Sequence, residues 1–332
     1  MSKILVTGGC GFIGSNFLNI MVNKYPKHIF LNIDSLTYAG NPKNIYPKTI
    51  ASNNYNFVKA DIRDKNLINI IISTFQPDIV IHFAAESHVS RSIDNPEIFI
   101  ETNIIGTYNL LEACKNTWKD LNNKRFVAIS TDEVFGETEN EEEYFTEKSL
   151  YKPSTPYAAS KAASDFLVKT YGRTYGLPIN ITNCSNNYGP NQHKEKLIPR
   201  MISLYINNEL LTIHGDGLLV RDWLYVEDHC NAIWTVAMNG ILGESYNIGG
   251  NKYLTVLDII NKICDILYKE TRIEYKDRMV FVPNRPGNDF RYAIDYSYIQ
   301  RTLGWEPTSS FEEKLDFTIK WYLQHHSRLK GN

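Results

Sequence analysis

Two adjacent acidic residues with a hydroxyl beside them are the first candidates for chemistry. Thr131, Asp132 and Glu133 directly follow residues 125–130, whose apolar run 125–129 predicts a buried strand. They would stand at the carboxyl end of that strand, and ligands of open α/β sheets bind in the crevice outside such ends. Close like charges split the pKa values of a carboxyl pair, so that one can act as an acid and the other as a base.

A tyrosine and a lysine four residues apart form the second reactive pair. Tyr157 and Lys161 follow Pro156, which suits the first position of a helix, and their spacing places both on one helical face. A free tyrosine has a pKa near 10, so Tyr157 needs a nearby cation such as Lys161 to act as a base. The alternative is a polar strand end beside a capped helix, but two acids next to such a pair are costly without a task.

A glycine-rich turn near the start of the chain predicts a dinucleotide site. Residues 3–7 form a buried-strand pattern, the turn Gly8-x-x-Gly11-x-x-Gly14 follows, and helical periodicity begins there. Glycines allow a tight turn and close backbone approach, and the helix N-terminus binds the pyrophosphate. A glycine turn without a ligand is the alternative, which this strand–turn–helix context disfavours.

Acidic and small residues at the ends of the next strands extend this prediction. Residues 30–33 lead to Asp34, an acid about 20 residues past the glycines that would bind the ribose hydroxyls and repel a 2′-phosphate, so NAD is favoured over NADP. Residues 57–60 lead to Asp61, placed to meet the adenine amino group, and residues 78–82 lead to small residues that admit the cofactor. The predicted cofactor-binding residues are Gly8, Gly11, Phe12, Ile13, Gly14, Asp34, Asp61, Ile62, Ala84, Ala85, Tyr157 and Lys161.

The order of the predicted strands and helices indicates an α/β fold with two interleaved parts. Alternating β and α segments up to about Gly176 are typical of a Rossmann-type doubly wound parallel sheet. We assign residues 1–178 to an NAD-binding domain, with later returns near 221–250, and residues 179–332 to a smaller nucleotide-sugar-binding domain. The acidic run 137–147 is interpreted as a solvated surface loop. His82 and His88 are interpreted as structural or near the substrate, and no metal site is predicted.

Composition excludes several classes of protein. The chain has 332 residues, 43% of them hydrophobic and 22% charged, and a net charge of −2, so no nucleic-acid partner is expected. Its five cysteines are scattered, which favours reduced thiols in the cytoplasm. No apolar run approaches the roughly 18 residues of a membrane span, and the first strand begins at Lys3, so neither a membrane anchor nor a leader is expected.

Taken together, these motifs resemble the extended short-chain dehydrogenase/reductase family, and within it the nucleotide-diphosphate-glucose 4,6-dehydratases. The glycine turn and the Tyr157/Lys161 pair are typical of the whole superfamily. Thr131-Asp132-Glu133 is the specific motif, because related epimerases usually carry small or hydroxylated residues in place of the two acids. The segments that carry the resemblance are 8–15, 34–41, 82–89, 130–136, 156–161, 186–190, 195–199, 221–229 and 246–250.

The resemblance implies an NAD-dependent hydro-lyase that converts dTDP-glucose or UDP-glucose to the 4-keto-6-deoxy sugar nucleotide and water. Tyr157, assisted by Thr131 and Lys161, would take the C4 hydroxyl proton, Glu133 the C5 proton, and Asp132 would protonate the leaving C6 hydroxyl. A homodimer is implied, through helices at about residues 95–115 and 155–175.

Substrate contacts are predicted on both sides of the crevice, with the cations among them assigned to the diphosphate. Any one of those cations alone is more often a surface charge. Asn288, and Ser90 in place of a common Asp, depart from the pattern of the bacterial dTDP-type enzymes, so turnover of both nucleotides is expected. The predicted substrate-binding residues are Ser87, Asn186, Glu195, Lys196, Leu197, Arg221, Arg285, Asn288 and Tyr292.

Two alternatives share this scaffold. A nucleotide-sugar 4-epimerase or decarboxylase would need Tyr157 and Lys161 but has no use for Asp132 together with Glu133. A non-enzymatic NAD-binding protein is compatible with the fold, because fold alone does not decide function, but such proteins typically lose the Tyr/Lys pair.

Overall fold

The structure is a computed structural model that describes residues 1–138, 140, 142–325, 328 and 329. The strands are β1 (Lys3–Thr7), β2 (Ile29–Asp34), β3 (Tyr55–Lys59), β4 (Ile79–His82), β5 (Arg125–Thr131), β6 (Ile179–Cys184), β7 (Asn186–Tyr188), β8 (Leu211–His214), β9 (Val220–Tyr225), β10 (Ser245–Ile248), β11 (Tyr253–Thr255) and β12 (Met279–Val282).

The helices alternate with these strands through the first half of the chain. They are α1 (Phe12–Lys24), α2 (Pro47–Ile50), α3 (Lys65–Phe75), α4 (Val89–Asp94), α5 (Glu97–Phe99), α6 (Thr107–Thr117), α7 (Pro156–Tyr175), α8 (Leu197–Ile206), α9 (Val226–Asn239), α10 (Val256–Thr271), α11 (Ser297–Leu303) and α12 (Phe311–Gln324). A π-helical stretch (Ile100–Gly106) joins α5 to α6, and 3₁₀ turns occupy Pro42–Asn44, Asp132–Phe135 and Lys276–Arg278. Over the described ranges, no helix combines the length and apolar character needed to cross a membrane.

The central element is a parallel sheet with its topological switch point between β1 and β4. Among the described residues it has seven strands, in the order β10-β6-β5-β4-β1-β2-β3. The chain builds outward from β1 to β3, returns to β4, and builds outward in the opposite direction. A crevice opens at such a switch point, outside the carboxyl ends of the strands. The predicted α/β class and doubly wound parallel sheet are confirmed.

The central strands of the sheet are buried on both faces, which explains their near-continuous apolar sequences, whereas the edge strand β3 is largely exposed. Ile4 and Val6 face one hydrophobic cluster, which includes residues of α1 and α9. Leu5, between them, faces a second cluster with residues of α3, α6 and α7. Alternate residues of one strand therefore anchor helices on opposite sides of the sheet.

The C-terminal half shares the core of the first half. The cluster that contains Ile4 also contains Ile198 of α8, Ile260 of α10 and Ile319 of α12. Two small sheets form there, with the orders β11-β9-β7 and β12-β8, while β6 and β10 extend the large sheet. The predicted boundary near residue 178 stays a prediction, since the two halves are packed on one continuous core.

The acidic run 137–147 is more ordered than its prediction as a solvated loop. The Glu137 carboxylate accepts a hydrogen bond from the Phe290 amide at 2.7 Å, and the Glu147 carboxylate accepts one from the Asn247 amide at 2.8 Å. Phe145 forms a parallel bridge with Ile294. Most described residues of the run are exposed, as the surface-loop prediction expects, but partners distant in sequence fix its two ends. Residues 139 and 141 lie outside the described residues.

Candidate active site

A cleft lies over the carboxyl ends of the central strands and collects most of the predicted site residues. It is lined on one side by the loops after β1, β2, β3 and β4, and on the other by β5, α7 and the segment before α8. The predicted residues that line it are Gly8, Gly11, Phe12, Ile13, Gly14, Asp34, Asp61, Ile62, Ala84, Ala85, Ser87, Thr131, Asp132, Glu133, Tyr157, Lys161, Asn186, Glu195 and Lys196.

The glycine turn has the close backbone approach that a dinucleotide requires. Gly8 has φ +71°, and a Cβ on it would lie 2.6 Å from the Ala84 nitrogen. A Cβ on Gly14 would lie 2.5 Å from the Gly8 carbonyl oxygen, so α1 packs directly against the turn. Gly11 is the N-cap of α1, and no side chain caps that helix. The helix N-terminus is therefore open to an anion such as a pyrophosphate, and the residues fit a dinucleotide.

Asp34 stands at the end of β2 and is fixed by backbone amides. One carboxylate oxygen accepts from the Cys10 amide at 2.9 Å and the other from the Leu36 amide at 2.8 Å. The residue is buried, and burial raises the pKa of Asp34 while these two amides oppose the shift. Its role toward the ribose stays a prediction. Asp61 also lines the cleft and forms a 2.8 Å ion pair with Arg63.

Thr131, Asp132 and Glu133 occupy the end of β5 and the 3₁₀ turn that follows it. The Thr131 hydroxyl caps this turn, since it accepts from the Glu133 amide at 3.3 Å, and it donates to the Asp132 carboxylate at 3.3 Å. Asp132 is only 3% exposed, and its second oxygen has no hydrogen-bond partner among the described residues. The strand end thus presents both acids to the cleft.

The two acids have different electrostatic surroundings. Burial, followed by the charge of Glu133, holds the pKa of Asp132 well above its usual value. Burial also raises the pKa of Glu133, but the charges of Lys196 and Arg221 oppose that shift. Asp132 is therefore the acid that holds its proton more firmly, and Glu133 is the one that nearby cations favour as a carboxylate.

Tyr157 and Lys161 lie in the first two turns of α7, beside the end of β5. Thr155 caps the helix, its hydroxyl accepting from the Ala158 amide at 3.2 Å. The Lys161 amino group donates to the Ile129 carbonyl at 2.8 Å, which fixes α7 against β5. Burial, followed by the charge of Glu133, raises the pKa of Tyr157 well above 10, and the Thr131 hydroxyl opposes this. That Lys161 lowers the Tyr157 pKa stays a prediction.

The segment before α8 carries a charged cluster around Glu195. Its carboxylate lies 3.4 Å from Arg91 and within 4 Å of His88 and His193. Although burial opposes ionisation, the His193 hydrogen bond and the positive neighbours lower the pKa of Glu195 to about 2. The Lys196 amino group, on a half-buried side chain, donates to the Ser87 carbonyl at 2.9 Å. This bond joins the loop after β4 to the segment that starts α8.

The remaining predicted substrate residues do not line the cleft. The Arg221 guanidinium is held by the Val220, Asp289 and Phe290 carbonyls and by the Asn288 side chain. It also stacks 4.4 Å from the Tyr292 ring centre. The Arg285 guanidinium donates to the Ser90 hydroxyl at 3.2 Å. Leu197, Arg221, Arg285, Asn288 and Tyr292 therefore stay predicted contacts, although the charges of both arginines reach Glu133.

Sequence reasoning missed two residues that support the site. Asn103, in the π-helical stretch, bonds the Glu86 amide at 2.9 Å, the Glu86 carbonyl at 3.0 Å and the Ser160 hydroxyl at 2.8 Å, so it clamps the loop after β4 to α7. Asp165 is buried on α7 and continues the four-residue spacing of Tyr157 and Lys161, a signal that was available. His82, held between the Thr7 and Thr107 hydroxyls, is structural.

Comparisons with known proteins show the family of this chain. The family model described as GDP-mannose 4,6 dehydratase matches residues 5–318. A curated dTDP-glucose 4,6-dehydratase of Haemophilus influenzae is 50% identical over 339 residues, with 98% of this chain and 99% of the relative covered. One from Escherichia coli is 48% identical, with 97% of this chain and 93% of the relative covered.

Solved structures extend the likeness to the whole fold. The dTDP-glucose 4,6-dehydratase of Streptomyces venezuelae, with NAD bound, has a TM-score of 0.91 and 40% identity over 98% of each chain. That of Bacillus anthracis, also with NAD, has a TM-score of 0.88 and 39% identity over 98% of each chain. A UDP-glucose 4-epimerase of Thermotoga maritima has a TM-score of 0.86 and 28% identity, over 98% of this chain and 99% of its own. The chain belongs to the GDP-mannose 4,6-dehydratase family of extended short-chain dehydrogenases/reductases.

Proposed function

We propose that this chain is an NAD-dependent dTDP-glucose 4,6-dehydratase. The observation that carries the proposal is a pair of adjacent acids in unequal surroundings, Asp132 and Glu133, at the strand end that shares a cleft with Tyr157 and Lys161. The predicted nucleotide-sugar 4,6-dehydratase class and the NAD cofactor are confirmed by the curated relatives and by the NAD-bound solved ones. The epimerase neighbour shares the fold, so the acids, and not the fold, argue for dehydration.

The chain holds the cofactor through its backbone and one acid. The open N-terminus of α1 and the turn from Gly8 to Gly14 would hold the pyrophosphate, and Asp34 would bind the adenosine ribose. Bound NAD would supply the hydride acceptor for oxidation at C4 and, once reduced, the hydride donor for C6.

Tyr157 acts first, as the base on the C4 hydroxyl. It takes the hydroxyl proton while the C–H bond at C4 breaks, and a ketone forms at C4. The Thr131 hydroxyl favours the phenolate, while burial and the charge of Glu133 disfavour it. Positive charge on the Tyr157 side of the cleft, including that of Lys161, is therefore needed for this step.

Asp132 and Glu133 carry out the elimination. The C4 ketone makes the C5 proton acidic, and Glu133 removes it as the carboxylate. Asp132 gives its proton to the C6 hydroxyl, the C6–O bond breaks, and water leaves. Hydride then adds to C6 and a proton returns to C5, so the product differs from the substrate by one water. Transfer of one proton from Tyr157 to Asp132 restores the resting enzyme.

One experiment tests the proposal and the choice of nucleotide. The purified protein is incubated with dTDP-glucose and with UDP-glucose separately, and product mass and kcat/KM are compared. Loss of water from dTDP-glucose supports the proposal, whereas a product of unchanged mass supports the epimerase. Because one methyl group in an apolar pocket changes rates by roughly 10–200-fold, we expect both nucleotides to react and dTDP-glucose to react faster.

We further propose a homodimer in the cytoplasm. Ile105, at the end of the π-helical stretch before α6, and Phe166, on α7, are 47% and 56% exposed, and these are the helices predicted to pair between subunits. The five cysteines are buried and form no disulfide, which supports a reducing compartment.

A further inference from the structure

Asp165 is a buried carboxylate on the helix that carries the catalytic pair. It lies four residues after Lys161 on α7, so Tyr157, Lys161 and Asp165 form one stripe along the helix. Its exposed fraction is 0%. No step of the proposed reaction uses it. A buried carboxylate is costly to ionise unless a cation and hydrogen-bond donors compensate its charge.

Two hydroxyls from other elements donate to one oxygen of Asp165. The Ser130 hydroxyl lies 2.6 Å from Oδ2 and the Tyr151 hydroxyl lies 3.1 Å from the same atom. Ser130 belongs to β5 and directly precedes Thr131, while Tyr151 belongs to the loop before α7. The other oxygen, Oδ1, is buried and has no hydrogen-bond partner within the described part of the chain. Both donors favour the ionised form of Asp165.

Lys161, one helical turn before Asp165, is the cation whose charge acts most strongly on this carboxyl. Burial raises the pKa of Asp165, and the charge of Lys161, followed at a distance by Lys169, opposes this. Burial lowers the pKa of Lys161, and Asp165 is the foremost group that opposes it, with Cys184 of β6 next. His82 of β4 also faces Lys161, but burial lowers the pKa of His82 to about 3, so it is neutral there.

We propose that Asp165 is a positioning residue of the active site, whose carboxylate keeps Lys161 charged in the interior and ties α7 to the strand end that bears Asp132 and Glu133. The tie runs through Ser130, the neighbour of Thr131 in β5. The charge acts on the Lys161 amino group, which donates to the neutral Ile129 carbonyl. Asp165 itself does not line the cleft.

The first test is the pH profile of the Asp165→Asn variant, and this readout rests on the proposed function. An asparagine oxygen can still accept from Ser130 and Tyr151, so the variant removes charge and keeps those bonds. Without the carboxylate, Lys161 loses its proton at lower pH. We expect the alkaline limb of single-turnover C4 oxidation of dTDP-glucose to move down by about one pH unit or more, a tenfold change in proton affinity.

A matched control separates the charge from the hydrogen bonds. Tyr151→Phe removes one donor to Asp165 and leaves the carboxylate in place. Its alkaline limb should stay where it is in the unmodified protein. An alkaline limb that does not move in Asp165→Asn, or that moves equally in both variants, overturns the proposal.

The second test is a stability cycle that needs no substrate. Tm is measured for the unmodified protein, Asp165→Asn, Lys161→Met and the double variant. Removing one partner of a buried pair leaves the other charge uncompensated, so Asp165→Asn should lower Tm clearly when Lys161 is present and by at most half as much beside Lys161→Met.

The cycle also answers the case in which Asp165→Asn does not fold. A double variant that folds where Asp165→Asn does not supports the proposal. A double variant that also fails to fold overturns it. If all the variants fold, a Tm loss in the double variant equal to the sum of the two single losses overturns it as well. Because unfolding is read without dTDP-glucose, a chain that failed to act on this sugar would sink the proposed function and leave the Asp165 result intact.

Discussion

Asp132 and Glu133 are neighbours in the chain with the same functional group, but their surroundings differ. Asp132 is 3% exposed and has a carboxylate oxygen without a hydrogen-bond partner among the described residues. Burial raises the pKa of Glu133, but the charges of Lys196 and Arg221 oppose that rise. Elimination of water requires one carboxyl that is protonated at rest and can donate to the leaving hydroxyl, and one that is ionised at rest and can accept the C5 proton.

Variants of the three reacting residues should separate oxidation from elimination. Tyr157→Phe removes the base and should abolish all steps, including transient reduction of the cofactor. Asp132→Asn and Glu133→Gln should keep that reduction but slow water loss by at least about 100-fold, the usual contribution of a general acid or base. Glu133→Gln should also suppress exchange of the C5 hydrogen with solvent deuterium. Single-turnover absorbance and mass spectrometry measure these quantities.

The outcome that would contradict this assignment is full dehydration by both acid variants with Tyr157→Phe alone inactive. The acids would then be structural, and an epimerase reaction would become the better explanation.

Asp132 should also lower stability at neutral pH. Its pKa is raised in the folded protein, so its stabilising contribution is complete below the unfolded value of about 4 and is lost as pH rises toward the folded pKa. Asp132→Asn, which cannot ionise, should therefore have a higher Tm than the unmodified protein at pH 7, with a difference that shrinks toward pH 4. A pH-independent Tm difference would show that burial does not act on this carboxyl as described.

At the scale of elements, three contacts between neighbouring elements fix the geometry of the cleft. The turn after β1 touches the loop after β4 at Ala84, and Asn103 clamps that loop to α7. Lys161 then bonds α7 to β5. Each wall of the cleft is thus fixed by backbone contacts or buried hydrogen bonds, so small changes in these connections displace reactive groups.

Gly8→Ala should impair NAD binding far more than a matched glycine replacement. Gly8 and Gly176 both have positive φ, +71° and +68°. A Cβ at Gly176 meets nothing within 4 Å, whereas one at Gly8 would lie 2.6 Å from a backbone nitrogen. Gly176→Ala should lower the free energy of unfolding by about 1–2 kcal/mol and leave NAD affinity unchanged. Gly8→Ala should lose NAD affinity at least tenfold in a titration, and equal affinities would refute the packing argument.

At the scale of the molecule, one continuous hydrophobic core joins the N-terminal half of the chain to the C-terminal half. β1 contributes Ile4 to the same cluster as Ile319 of α12. The candidate active-site cleft is lined by residues of both halves, and Lys196 of one half is bonded to Ser87 of the other. Relative motion of the halves must therefore break specific contacts such as this bond.

A dimer through α7 should dissociate when its exposed apolar surface is charged. Light scattering of the 38.2 kDa chain should give about twice that mass. Phe166→Glu, on α7, should shift the protein toward a monomer. Phe281→Glu changes a residue of similar exposure, 57%, on β12 and should leave the dimer intact. A monomer before any substitution would refute the prediction.

Local sequence signals were enough to predict the order of the strands from β1 to β6, the glycine turn and the two reactive pairs. These are local signals: strand and helix periodicity, a fixed glycine spacing, and residues four apart on one helix. Most of the predicted cofactor-binding positions follow from these signals, because they lie just after strands whose direction the alternating β and α pattern already implies.

The contacts between side chains far apart in the sequence could be seen only in the folded structure. Arg221 is held by Asn288 and Asp289, and Asn103 binds Ser160, contacts between residues more than 50 positions apart. The shifts that raise the pKa of Asp132 and of Glu133 likewise depend on chain packing, because burial and the charges of distant residues such as Arg221 and Lys196 cause or oppose them. Periodicity and spacing report neighbours along one element, and they carry no information about which side chain from another element will reach a buried carboxyl.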